Sequence, residues 1–245
     1  SKRSIGIMYG IQYNGIKDTD IGVLVVSRPS IPAPEPKVTV WNIAGRDGSL
    51  YSSDDFYDDI QIFVELNFMT PVNEWAARAR QIKQWLLDRK KDRRLYLSDD
   101  MSFFYKVKNV SVGEITRSSK RIGNLTPMFT CDPYMYLTNG LTPIKWTTMD
   151  LNLQNPYSLS KPKYIIKGQS TVSIAVNDAD VVADVNGELT IDTDLMVAYT
   201  NDGTLKNAAI DGDYEQLWLP SGKNKVYISG EGNPTMDIIP NWRTP

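Results

Sequence analysis

The chain has 245 residues, of which 41% are hydrophobic and 23% are charged, and its formal net charge is −2. This composition is typical of globular proteins rather than collagen-like or disordered ones, and the length suits two domains. A dedicated nucleic-acid-binding protein usually has a strong basic excess, which is absent here. No apolar stretch approaches the ~20 residues that a membrane-spanning helix needs, so we expect no membrane partner.

The content of histidine and cysteine restricts the possible chemistry. There is no histidine and one cysteine, Cys131. These counts exclude nucleophiles activated by histidine, histidine-containing zinc sites, internal disulfides and cysteine-rich metal sites. Carboxylate chemistry is the main enzymatic route left, but no acidic pair is singled out by its spacing. We therefore predict no enzymatic activity, no catalytic residue, no cofactor and no metal ligand, with Cys131 a buried apolar residue.

The first elements in chain order are a proline-rich stretch, a strand and a turn. Four prolines fall within eight residues of Arg28–Pro36, which predicts an exposed extended arm or loop. A strand is predicted at Val38–Trp41. The turn that follows carries a strong hairpin motif and glycines that tolerate positive φ, at Gly45, Arg46, Asp47 and Gly48.

A strand and then a helix are predicted in the middle of the first half. Apolar residues alternate along Ile60–Phe68, which predicts one strand with a single apolar face. The spacing then changes to four, three and four residues, the period of one helix stripe, at Trp75, Ala79, Ile82 and Leu86. Thr70 or Asn73 is expected to cap this helix, which should end near Lys90.

The second half is predicted to be a sandwich of short strands. Residues 136–162 are polar and interrupted by prolines, which indicates a junction after a first domain at residues 1–135. From residue 163 to residue 245, strand candidates alternate with Gly, Asn and Asp turns at nearly regular spacing, which favours an antiparallel β-sandwich. Further strands are expected at Leu95–Leu97, Met101–Val112 and Leu125–Thr130.

Several motifs, taken together, resemble the Dit family of siphophage distal tail proteins. In the second half they are Ile191–Asp194, Asn201–Gly203, Asp211–Tyr214, Leu217–Leu219, Pro220–Asn224 and Ile239–Arg243. The first half contributes the Gly45–Gly48 turn, the Ile60 strand, the Trp75 helix and Phe129–Tyr134 in the order of that family. The resemblance thus extends over nearly the whole chain.

This resemblance implies a mainly β fold. The N-terminal domain would be a sandwich-like or barrel-like ring domain with one α-helix, and the C-terminal domain a galectin-like sandwich similar to carbohydrate-binding modules. It also implies a homohexameric hub at the distal end of the phage tail, a structural part of the virion. Its partners would be copies of itself, the tail tube protein, a tail-tip or tail-associated protein and a receptor-binding protein, with DNA passing through the lumen without specific binding.

Two charged patches in the ring domain are candidates for its subunit interface, because a closed ring needs two different complementary faces on each subunit. The segment from Arg78 to Arg94 has eight basic residues against two acidic ones, a local net charge of +6. Solvated faces that keep exposed elements soluble are the other interpretation of both patches. The candidates are Asp54, Asp55, Asp58, Asp59, Arg78, Arg80 and Lys83.

A carbohydrate-binding adhesin that recognises host cell-wall polysaccharide is the alternative function. Its stacking candidates are Tyr199, Tyr214, Trp218 and Tyr227, although strand alternation favours a core position for Trp218. Closely spaced Asp pairs such as Asp192 and Asp194 lack the ligand series of a calcium loop, so turn formation explains them without a metal.

Overall fold

The computed structural model describes residues 9–146 and 151–245, apart from the side chains of residues 53–55. The chain is mainly β, as the sequence predicts, with several antiparallel sheets. It divides into two compact units, Ser1–Met135 together with Pro245 and Tyr136–Thr244. Each unit has its own hydrophobic core.

The first unit combines three sheets and a helix. One sheet has the order β2-β1-β8-β9-β12 with β6 also paired to β12, a second has the order β10-β11-β7-β3, and β4 pairs with β5. The elements are β1 (Ile11–Tyr13), β2 (Ile16–Lys17), β3 (Val23–Val25), β4 (Pro36–Trp41), β5 (Leu50–Tyr57), β6 (Ile60–Phe63), β7 (Leu66–Met69), α1 (Trp75–Leu87), β8 (Arg94–Leu97), β9 (Asp100–Ser111), β10 (Thr116–Arg117), β11 (Ile122–Leu125) and β12 (Met128–Leu137).

The predicted single strand Ile60–Phe68 is two strands that belong to different sheets. β6 pairs with β12, whereas β7 pairs with β11 and β3. Between them the Val64 amide donates to the carbonyl of Pro127, and the Glu65 carbonyl accepts from the amide of Val26. The predicted apolar face is confirmed, since its five residues are all buried. Alternation survives the break because both sheets cover the same core.

Helix α1 starts where the sequence predicts, but its ends are capped differently. A short 3-10 helix, Val72–Glu74, leads into it, and no side chain caps its N terminus, so the expected caps at Thr70 and Asn73 were wrong. The helix ends at Leu87 rather than near Lys90. It ends there because Asp88 is extended, with φ −68° and ψ 108°.

The second unit is built from two five-stranded antiparallel sheets around one core, which confirms the predicted β-sandwich class. The sheet orders are β13-β22-β15-β18-β19 and β14-β21-β16-β17-β20. The ten strands of these sheets are β13 (Ile144–Lys145), β14 (Leu151–Asn155), β15 (Lys163–Gly168), β16 (Thr171–Val176), β17 (Ala179–Asp184), β18 (Gly187–Asp192), β19 (Val197–Thr200), β20 (Ile210–Asp211), β21 (Gly222–Gly230) and β22 (Thr235–Ile239). A short strand outside both sheets, β23 (Arg243–Thr244), follows them.

Residues 136–162, predicted as a junction, lie within the second unit. β14 pairs with β21 over five residues, and Asn155 and Ser160 are fully buried. The Asn155 side-chain amide donates to the carbonyls of Ser158 and Leu219, so this buried polar side chain has hydrogen-bond partners. Polar composition therefore reflects buried hydrogen bonding here rather than exposure to solvent.

The C-terminal Pro240–Arg243 motif closes the second unit. Asn241, at φ 51°, donates from its side chain to the carbonyl of Lys161, and Arg243 Nε donates to the carbonyl of Leu159 at 2.7 Å. Trp242 packs so closely on Gly140 that a Cβ there would lie 2.8 Å from the Trp242 backbone nitrogen. The motif thus has a structural role within its own unit.

Candidate assembly surface

The β4–β5 hairpin is the candidate functional site. The predicted turn at its tip is present, with positive φ at Gly45 and Gly48, where L side chains are disfavoured. The ladder pairs Val40 with Tyr51 and Trp41 with Leu50. Opposite residues project to the same side of a sheet, so the first pair lies on one face and the second pair on the other.

Both faces of the hairpin are apolar and exposed. Trp41 is 58% exposed and Tyr51 is 68% exposed. The other large apolar residues exposed on it are Val38, Val40, Ile43, Leu50 and Phe56. A contiguous exposed apolar patch on a folded protein usually marks an interaction site.

The hairpin also lacks support from a larger sheet. Among the strands that the structure describes, β4 and β5 pair only with each other. An isolated two-stranded hairpin is at best marginally stable in water, because it has no third strand or helix to bury its side chains. No third strand of the described chain therefore covers either face of the hairpin.

The base of the hairpin is attached to the body of the first unit. The Asp58 amide donates to the carbonyl of Glu35 at 3.0 Å, and the rings of Tyr57 and Tyr134 pack edge to face with centroids 5.8 Å apart. The base of the hairpin is thus fixed, while a Cβ added at either turn glycine of its tip would have open space around it.

The acidic candidates beside the hairpin have partners in their own chain. Lys37 Nζ lies 3.6 Å from Asp58 Oδ1, and Lys108 Nζ lies 2.5 Å from Asp59 Oδ1. The side chains of Asp54 and Asp55 lie outside the described residues. Contacts of these carboxylates with another subunit remain a prediction from sequence.

The basic candidates on α1 differ among themselves. Arg78 Nη1 donates to the carbonyl of Ile21 at 2.9 Å, so this residue ties the helix to the 3-10 helix Asp18–Ile21. Arg80 and Lys83 are exposed and make no ion pair with any residue that the structure describes. They lie three residues apart, on one side of the helix, and are the cations available for an external contact.

Metal binding and thiol chemistry can be assessed directly from the described residues. Within residues 9–146 and 151–245, no three His, Cys, Asp or Glu side chains are grouped so that they could hold a metal ion. Burial, with the nearby Asp132 carboxylate, raises the pKa of the Cys131 thiol to about 12, which keeps it protonated and unreactive. In the same part of the chain, no helix has the length and apolarity required to cross a bilayer.

Two of the aromatic residues proposed for sugar stacking, Trp218 and Tyr227, already contact other residues of the chain. Trp218 is not in the core, contrary to the expectation from alternation. Its neighbours Leu217 and Leu219 are buried instead, because a 3-10 helix ends at Leu217 and changes the direction of the side chains. The Trp218 indole N–H donates to the carbonyl of Thr193, and Lys161 Nζ lies 4.9 Å from the ring centroid. Tyr227 is 40% exposed and packs against Trp146.

No family model and no curated protein matches the chain. Among solved structures, the crystal structure of the Dit protein (gp 19.1) of SPP1 is similar over 94% of this chain and 97% of that chain, with a TM-score of 0.61 and 16% identity. That protein is described as a paradigm of the hub of the adsorption apparatus in phages that infect Gram-positive bacteria. The chain has a Dit-like fold.

Sequence reasoning found the turn of the Dit-like chain's hairpin but missed its exposed apolar faces. The sequence does not predict β5 as a strand, because Asp54 and Asp55 interrupt the apolar pattern of Leu50–Tyr57. One sequence feature indicates the hairpin: apolar residues lie on both sides of a glycine turn, Val40 and Trp41 before it and Leu50 and Tyr51 after it.

Proposed function

We propose that this protein is a structural component of a phage tail tip: a homohexameric hub that joins the tail tube to the receptor-binding apparatus. The observation that carries the proposal is the isolated β4–β5 hairpin, apolar on both faces, within a chain that has a Dit-like fold over 94% of its length. A hub needs no catalytic residue, and none is assigned.

In this proposal the hairpin of one subunit lies on the body of the next. The hairpin and the surface that receives it are different parts of the chain, so each contact is head-to-tail, and the proposed hexamer requires a rotation between neighbours that closes after six contacts. Burying one exposed aromatic side chain contributes on the order of 2 kcal/mol, so several of them supply the affinity. The exposed cations Arg80 and Lys83 then contribute to orientation more than to affinity.

The two units have separate roles in the proposed hub. Residues 1–135 form the ring, and the sandwich of the second unit carries tail-tip or receptor-binding proteins. DNA passes through the lumen of the ring without specific binding, in keeping with a formal net charge of −2. The protein acts in the virion, at the distal end of the tail.

The mass in solution tests the ring. The wild-type chain is expected to be hexameric, or a pair of hexamers, by light scattering. Replacing Trp41 and Tyr51 by Ser removes one anchor from each face of the hairpin and should give monomers with an unchanged thermal melt of the second unit. Leu195→Ser is the matched control, because Leu195 is 68% exposed but lies in the second unit. A wild-type chain that stays monomeric at high concentration overturns the proposal.

The carbohydrate-binding alternative has weaker support, because Lys161 covers one face of Trp218. The same preparations can be tested against cell-wall polysaccharide. Monomers that bind polysaccharide, with affinity lost in Tyr227→Ser, would favour the adhesin over the hub.

A further inference from the structure

Residues Arg28–Glu35, which we call the strap, lead from β3 into the hairpin. Before the strap, the Val26 amide donates to the carbonyl of Glu65. At its end, the Glu35 carbonyl accepts from the amide of Asp58. The strap forms neither helix nor strand. Its prolines fix φ near −65° and favour an extended chain of ~3.1 Å per residue, so it behaves as a semi-rigid lever.

Packing holds the start of the strap more firmly than its later part, since Pro29 is buried and Ile31 packs against the core of the first unit. An open cavity of about 320 Å³ lies beside Pro32, Ala33 and Glu35, and another of about 440 Å³ lies beside Ile31 and Pro34. Contacts near the two ends of the strap, rather than packing along its whole length, therefore set its direction.

Asp99 provides the anchor at the start of the strap. Its Oδ2 accepts from Arg28 Nε at 2.6 Å, and its Oδ1 accepts from the Tyr9 hydroxyl at 2.8 Å. The hydrogen bond from Arg28 lowers the pKa of Asp99, and burial raises the pKa of Tyr9, so the acceptor is ionised and the donor protonated at neutral pH. Both oxygens of one carboxylate in the β8–β9 turn are thus engaged with two distant segments.

We infer that Asp99 is a positioning residue for assembly: it fixes the direction of the strap, and through the strap it aims the β4–β5 hairpin at the neighbouring copy. Arg28 is followed directly by Pro29, which restricts Arg28 to extended backbone. An orientation set at Arg28 is therefore carried along the strap to the hairpin base. The assembly part of this inference rests on the proposed function, while the aiming of the hairpin does not.

The test measures the direction of the hairpin by itself. Nitroxide labels on Arg46→Cys at the hairpin tip and Gln84→Cys on α1 report the distance between them, and a tenfold excess of unlabelled protein suppresses contributions between subunits. The native Cys131 is buried with a raised pKa and stays unlabelled. Asp99→Asn should broaden the distance distribution about twofold, Arg28→Gln should broaden it equally, and the double variant should be no broader.

The neighbouring Asp100→Asn is the control, since Asp100 is exposed and makes no ion pair with the described residues. Asp99→Asn should also raise the protein concentration at half-assembly by about twofold to fivefold, the effect expected of a partly exposed ion pair. Distributions as narrow as wild type in both single variants overturn the inference, even if rings form. A wild-type chain that forms no ring refutes the proposed function instead, and the label distances still decide whether Asp99 aims the hairpin.

Discussion

The side-chain amide of Asn14 donates a hydrogen bond to the carbonyl oxygen of Asp88 at 3.0 Å, which joins the β1–β2 turn to the end of helix α1. The same amide donates to the carbonyl of Trp85, and the Trp85 indole N–H donates back to the carbonyl of Tyr13. Carbonyls at the end of a helix have no partner within it, so a side chain from elsewhere in the chain supplies the cap.

Asn14→Ala should lower the free energy of unfolding of the first unit by about 2–3 kcal/mol. The substitution removes one buried and one partly buried hydrogen bond, and it places Ala at φ 54°, which Asn tolerates better. Urea unfolding followed by tryptophan fluorescence measures the change. Asn73→Ala, at the exposed position that the sequence suggests as a cap, should change it by less than about 0.5 kcal/mol. Equal effects of the two variants would contradict the assigned cap.

Gly140→Ala should destabilise the second unit by about 2 kcal/mol or more. The new methyl group would lie 2.8 Å from a backbone atom of Trp242, which cannot turn aside as a flexible side chain could. Gly168→Ala is the control, because its nearest neighbour, Pro234, is 3.5 Å from the added carbon. The melting temperature of the second unit distinguishes them, and an unchanged value in Gly140→Ala would refute the close packing of Trp242.

Asp18 should make the first unit less stable as the pH rises. It is buried at 4% exposure, and burial raises its pKa above 3.8 in the folded state, against the opposing hydrogen bond from the Thr19 amide. A carboxyl whose folded pKa is raised contributes most to stability below its unfolded pKa, and that contribution is lost as the pH rises through the folded value.

The variant Asp18→Asn keeps a neutral side chain at all pH values and tests that sign. Its stability relative to wild type should increase from about pH 3 to pH 7. Asp47→Asn, exposed at the hairpin turn, should track wild type throughout. A stability difference between Asp18→Asn and wild type that does not change with pH would show that burial of the charge is not what matters there.

Charge reversal can separate the two roles open to Asp59. If its main partner is Lys108 of its own chain, the stability lost in Asp59→Lys, under about 1 kcal/mol for this partly exposed pair, should return on adding Lys108→Asp. Raising the salt concentration should shrink the loss, because exposed charges are screened. Recovery on reversing Arg78 and Arg80 instead, in the assembled protein only, would support the contact between subunits predicted from sequence.

Local periodicity predicts the parts of this fold in which neighbouring residues share one environment. Alternation gives the buried face of Ile60–Phe68, and helical spacing gives the start of α1 at Trp75. The break at Val64–Glu65 depends on Pro127 and Val26, and the end of α1 on Asn14, which are distant in sequence. No local pattern contains those contacts.

The candidate site was harder to predict for a related reason. Apolar residues on alternate positions normally indicate a buried face, so Val38 and Val40 alone cannot show that a strand has no sheet beside it. Only the topology reveals that β4 and β5 have no third strand among those described. The Asp99 anchor likewise joins Arg28 across 71 residues.

The passage of one continuous chain from β6 into β7 has a consequence for how the first unit opens. Val64 and Glu65 are hydrogen-bonded to Pro127 and Val26, which directly adjoin β12 and β3, so neither sheet can separate from the shared core without pulling on the other. Local opening events usually follow units that share few constraints with their neighbours. Amide hydrogens of β6 and β7 should therefore exchange with a common opening free energy, as a single cooperative unit, whereas those of the unsupported β4–β5 hairpin should exchange earlier and independently.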